Sequence, residues 1–167
     1  MQLKGLCFCM KAMLKIKLNE LPTSIKIAFI CFYVFIVLGF IFAHLILHFK
    51  LNSSFTPKDI LDYYKGNEAL LKFQKTPLEL SETSHFHSFS SPVIAFILSI
   101  FFAFTKLNEL FKNLIIILCF ISVFMLIINP WLLTFGPAFL VYLKYISSII
   151  LIFTFLFMGF VVIKNML

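Results

Sequence analysis

The sequence predicts an all-α protein, a four-span transmembrane helix bundle with two short helices in its first loop. Three observations carry this. The 167 residues are 62% hydrophobic and 13% charged, whereas a soluble domain is about 45–50% apolar and about 25% charged. Apolar runs of membrane-spanning length recur four times. Residues 50–84, between the first two runs, are polar and carry two sets of helix-start residues.

The spans fall at about 27–49, 87–105, 114–129 and 137–163, within a single integral membrane domain, 1–167. The first is preceded by lysines, as in a signal peptide. Its apolar core is too long for one, and no small-residue cleavage site follows, so a retained span is expected. Lys106-Leu107-Asn108-Glu109 and Lys112-Asn113 mark the turn between the second and third spans. Asn129-Pro130-Trp131 and Phe135-Gly136-Pro137 bracket the next turn, where Pro and Gly act as helix punctuation. Trp131 suits the interface belt.

All 14 basic residues are lysine. The lack of arginine argues against a nucleic-acid partner, because Arg is the main base-edge and bidentate phosphate reader. The net charge of +7 follows instead from topology. Five lysines precede the first span, Lys106 and Lys112 sit in the second turn, and Lys164 lies in the tail, whereas the third turn has none. Both termini are therefore expected on the cytoplasmic side of a bacterial inner membrane. The basic segment 1–26 suits an interfacial helix on anionic lipid. Cys7-Phe8-Cys9 is a C-x-C, but Lys4-Gly5-Leu6 before it does not resemble a lipoprotein cleavage site. Met10 or Met13 is an alternative start. Cys31 and Cys119 lie inside apolar spans, so no disulfide framework is expected.

The outer loop, about 50–86, has its own structure. Thr56-Pro57-Lys58-Asp59 supplies an N-cap, Pro at the first helical position and an acid in the first turn, and Gly66 supplies a stop. Thr76-Pro77-Leu78-Glu79 is a T-x-x-E capping box. The helix it starts is expected to run through Glu82, His85 and Phe89, with Pro92 as a kink point.

All four histidines fall at one depth of the membrane. His44 and His48 are i, i+4 near the outer end of the first span, and His85 and His87 lie where the second begins. On an ideal helix His87 lies about 200° around from His85, so one of the two is expected to face the interior. Ionisable groups near lipid are costly and mark function. A bis-histidine haem b needs imidazoles from facing helices at matched depth. One of His44 and His48 with one of His85 and His87 meets that need. Lys144, with Tyr142 or Tyr145, is placed to meet the propionates. Snorkelling to the interface is the plain alternative for Lys144.

The same region offers a single transition-metal site from His85, His87 and Glu82, since Glu82-x-x-His85 has i, i+3 spacing. A di-metal bundle would need a second E-x-x-H and acids within the spans, and both are missing. The third reading is a non-catalytic accessory subunit packed in a larger membrane complex or homo-oligomer. No G-x-S-x-G, phosphate-binding Gly loop or H-E-x-x-H occurs. The leading expectation is a b-type haem or quinone-linked electron-transfer subunit in the lipid bilayer.

Asp62-Tyr63-Tyr64-Lys65-Gly66-Asn67-Glu68, Glu79-Leu80, Thr83-Ser84-His85-Phe86-His87-Ser88-Phe89 and Pro92-Val93 together resemble a group of small uncharacterised proteobacterial inner-membrane proteins. Their pattern is an acidic-Leu step, then T-H-x-H and a Pro in the following span. Here Ser84 separates Thr83 from His85. The resemblance spans about residues 60–105. It implies a bacterial four-helix membrane protein with His85 and His87 as the marked positions.

Overall fold

The computed structural model describes residues 17–50 and 56–167. Cys7-Phe8-Cys9, the alternative starts, and the first part of the basic segment lie outside the described residues. Five helices follow one another: α1 (Thr23–Lys50), α2 (Pro57–Lys65), α3 (Pro77–Ala103), α4 (Glu109–Phe135) and α5 (Leu140–Met166). Single 3₁₀ turns at Leu18–Glu20 and Glu68–Leu70 complete the order. The protein is a four-span helical bundle: α1, α3, α4 and α5 are each long and apolar enough to cross a membrane. The three full-length spans of 27 residues would extend about 40 Å, beyond a hydrocarbon core of about 30 Å. They have length to tilt or to project.

The helices are longer than composition suggested. α3 begins at its capping box and runs on through His85 and Phe89 into the second span, as its start residues led us to expect, so its first turns stand proud of the apolar segment. Its mean hydropathy is accordingly the lowest of the four spans, at 1.7. Pro92 sits inside α3 without ending it. The larger correction concerns Asn129-Pro130-Trp131, which lies within α4 and not in a turn. Proline removes one helix N–H, but the helix continues, and the Thr134 hydroxyl donates to the Pro130 carbonyl (2.8 Å). The turn is confined to the few residues from Gly136 to Phe139.

Both loop helices start as their caps dictate. The Thr56 side chain accepts from Asp59 N–H, and the Asp59 carboxylate reaches back to Thr56 N–H (3.2 Å). The Thr76 hydroxyl accepts from Glu79 N–H (3.3 Å), and Thr76 N–H donates to Glu79 Oε2 (2.8 Å). Each box satisfies donors a helix leaves free at its start. Replacing Thr76 by alanine should cost about 1 kcal/mol. That would appear as a lower unfolding midpoint in detergent, and an unchanged midpoint would show the box to be dispensable.

The core lies between α3, α4 and α5. Ala95, Leu98 and Phe102 meet Ile115, Cys119 and Val123, and Leu151, Phe155, Met158 and Val162. Small side chains at Ser91, Ser99, Ser122, Ser147 and Thr154 are also buried there. They let helix backbones approach closely, which is how spans associate where lipid is as apolar as the core. The remaining faces carry exposed Phe, Ile and Leu, the surface a lipid bilayer covers.

α1 is peripheral: 11% of its most apolar window is buried, against 39% for α5. It attaches through its first half. Phe29 packs on Phe101 (4.7 Å between centroids), and Phe40 on Phe155 (5.8 Å). Tyr33 donates its hydroxyl to the Leu156 carbonyl (2.9 Å). From Ile41 to Ile46 every residue is exposed. At the end of the bundle away from Phe29 and Phe101, Ile60 of α2 packs with Leu133 and Val141. This makes α2 a cap over the ends of α4 and α5.

Candidate functional site at the cap end

Ile60, Tyr63 and Tyr64 recur at helical spacing, so α2 turns both tyrosines toward the bundle while its other face stays polar. The tyrosine rings meet edge to face at 5.0 Å. Each receives a lysine. Lys75 Nζ lies 4.9 Å from the Tyr63 centroid, and Lys144 Nζ lies 5.5 Å from that of Tyr64, both within cation–π range. Lys75 also pairs with Glu79 (2.5 Å). That hydrogen bond raises the ammonium pKa above its ordinary value. Burial pushes the Tyr64 phenol well above its usual value, with a smaller contribution from Tyr63.

Lys144 comes from the first turns of α5. Among the described residues no ion pair involves it. His87, on α3, is half-buried and lies close enough to interact electrostatically with the Lys144 ammonium. Beside them, Trp131 Nε1–H donates to Ser84 Oγ (2.9 Å), and Ser84 donates to the Ile127 carbonyl (3.0 Å). Asn129 Nδ2 donates to Ser147 Oγ (3.0 Å), which donates to the Lys144 carbonyl (3.0 Å). Asn129 Oδ1 is buried without a partner.

The structure thus brings Lys144 over Tyr64, with His87 within electrostatic range of the lysine. His85 takes another direction: it is exposed, packs on Phe89 (5.0 Å) and borders a shallow open furrow with Phe86, Phe89, Ser90, Val93 and Ile94. All these residues lie on α3, so the furrow is the surface of one helix and not a space between helices. Glu82 is exposed on the same helix. Among the described residues, no three His, Cys, Asp or Glu side chains form a group able to hold a metal ion. His44 is exposed and His48 half-buried on the outer half of α1, with the His48 ring 5.8 Å from Phe49.

Sequence reasoning named Tyr142 or Tyr145 with Lys144 as propionate partners; the ring over which Lys144 lies is that of Tyr64, from a different helix. Tyr142 is exposed, and Tyr145 packs with the Ile60 cluster. The amphipathic spacing of α2 was the available signal for Tyr64. Asn129 and Ser84 gave no comparable signal, because their roles depend on which helices become neighbours.

No curated protein and no solved structure matches the chain. Residues 54–167, well over half the chain, match the family model Aq_1264_TM, a transmembrane helical domain. The matched segment contains α2 to α5 with the cap-end cluster, and it begins after α1. An integral membrane protein with four apolar helices, three of them within the match, the chain belongs to the Aq_1264_TM family of transmembrane helical domains.

Proposed function

We propose that this protein is a b-type haem subunit of a bacterial inner-membrane electron-transfer system, with the cofactor held at the cap end. One observation carries the reading: an imidazole, His87, lies within electrostatic range of a lysine, Lys144, that has no anionic partner among the described residues. Haem b asks for both groups together, an imidazole for its iron and cations for its propionates. His48 or His44 would supply the second imidazole from α1, whose residues 41–46 are exposed. His85, on the exposed side of α3, is the less suitable member of its pair. The bound haem would supply one-electron chemistry, and a membrane quinone is the matching redox partner. The lysine asymmetry supports a topology with both termini cytoplasmic and the cap outside.

The test is an absorption spectrum of detergent-purified protein expressed with ample haem, first oxidised and then reduced with dithionite. The expected result is a sharp Soret band with reduced α and β bands, lost in His87→Ala and retained in His85→Ala. Lys144→Met should lower haem occupancy. A colourless preparation overturns the proposal and leaves the metal-handling and accessory-subunit readings, which metal analysis and co-purification of a partner separate.

A further inference from the structure

Between α2 and α3 the chain forms a short loop whose tip faces away from the protein. Leu70, Leu71 and Phe73 are 55%, 85% and 89% exposed. Three large apolar side chains held in water on one short loop are unfavourable, because each forgoes the gain of burial. The loop is nonetheless built to hold them out. Asn67 and Lys72 exchange two backbone hydrogen bonds (2.8 and 3.0 Å). The Asn67 side chain donates to Asp62 (3.0 Å) and accepts from Ala69 N–H (3.1 Å). Leu71 takes a left-handed backbone, φ 52°, which non-glycine residues adopt at a cost. Gly66 has φ 81°, and a Cβ there would meet Gln74 N at 2.6 Å and Lys72 O at 2.8 Å. Local strain maintained by such a scaffold points to use.

Both stems of this loop are fixed to the end of a membrane span. Lys65 Nζ donates to the Gly136 carbonyl (2.5 Å), and Gln74 Nε2 donates to the Thr134 carbonyl (3.4 Å). These are carbonyls at the C-terminal end of α4, about one turn beyond Trp131. The tip therefore starts from the end of a membrane span. Phe135, Phe139 and Leu78, at the neighbouring ends of α4, α5 and α3, are exposed as well. Lys72 stands within the tip, which suits anionic headgroups.

We infer that the Leu70-Leu71-Lys72-Phe73 tip inserts into the headgroup–acyl boundary of the bilayer that the protein itself spans. It would act as a side anchor that fixes the cap, and with it α2, against the membrane surface. This is the geometry of interfacial anchoring by a few apolar side chains flanked by lysine. It does not depend on haem.

The test uses the full chain carrying Phe73→Trp, reconstituted in nanodiscs of phosphatidylcholine and phosphatidylglycerol, with and without acyl-chain bromination. Position 73 has a negative φ, so the substitution adds no backbone strain. The fluorescence added over the wild type, which contains Trp131 alone, is the signal. Insertion predicts that brominated lipid quenches the added signal by on the order of twofold, while aqueous iodide leaves it little changed. Leu71→Trp should behave alike, and serves if Phe73→Trp loses its helical circular dichroism. Quenching by iodide and not by brominated lipid would overturn the inference and leave the tip as a contact for another protein.

Discussion

Replacing Gly159 by leucine should loosen α1 from the rest of the bundle. Gly159 lies on α5 where Tyr33 of α1 crosses it, and a Cβ at this position would overlap the Tyr33 ring. The ring cannot easily move aside, because its hydroxyl is tied to the Leu156 carbonyl one turn away (2.9 Å). A leucine must therefore push the helices apart or break that bond. Overpacking a close contact costs about 1–3 kcal/mol, and here it falls on a helix with few other attachments. Two measurements check this. The unfolding midpoint in detergent should fall. A cysteine pair replacing Phe40 and Phe155, whose rings now lie 5.8 Å apart, should be bridged by a short bifunctional thiol reagent in a chain whose other cysteines are replaced by alanine, and fail to be bridged with Gly159→Leu. Undiminished cross-linking would mean that α1 is held by something other than this knob and hole.

The second large effect is expected at the other end of the bundle. Lys112→Met should destabilise the turn between α3 and α4 by about 2–3 kcal/mol. The Lys112 side chain is only 5% exposed. Its ammonium donates to the Ala103 carbonyl (2.7 Å) and the Thr105 carbonyl (3.3 Å), and pairs with Glu109 (2.6 Å). An ammonium has three N–H groups and no acceptor, so this set uses its capacity. Ala103 and Thr105 lie where α3 ends, and helix C-termini leave carbonyls without helical partners. A cation there also complements the helix dipole. Methionine keeps much of the stem packing but supplies no donor. Thermal unfolding in detergent would register the loss. A midpoint equal to wild type would show that water or a neighbour replaces the ammonium.

Lys112 also shows where reading the sequence runs out. As a residue in a short turn, it counted only as positive charge for topology. Nothing in Lys112-Asn113 says that the side chain turns inward beneath two carbonyls. The same holds for Asn129-Pro130-Trp131. Pro is ordinarily punctuation, and only packing against α5 and α3 makes those three residues part of a longer helix. At the cap, by contrast, both helix starts were legible, because a capping box is a contact between residues three apart. The candidate site was half legible. The shared depth of the histidines and Lys144 followed from chain reversal between spans. That His87 is the half-buried histidine within electrostatic range of Lys144, and that Tyr64 covers the lysine, depended on rotation of α3 and docking of α2.

The sequence by itself determined that this is an all-helical, four-span membrane protein and where its loop helices begin. Those properties rest on hydropathy, helical period and local hydrogen bonding, which act over a few residues. Tertiary structure alone decided which face of each span turns inward, which small residue receives Tyr33, and which lysine is tied down at each end of the bundle. Every face of these spans is apolar, so burial distinguishes the faces weakly. Close packing and the few polar groups that need partners choose among them.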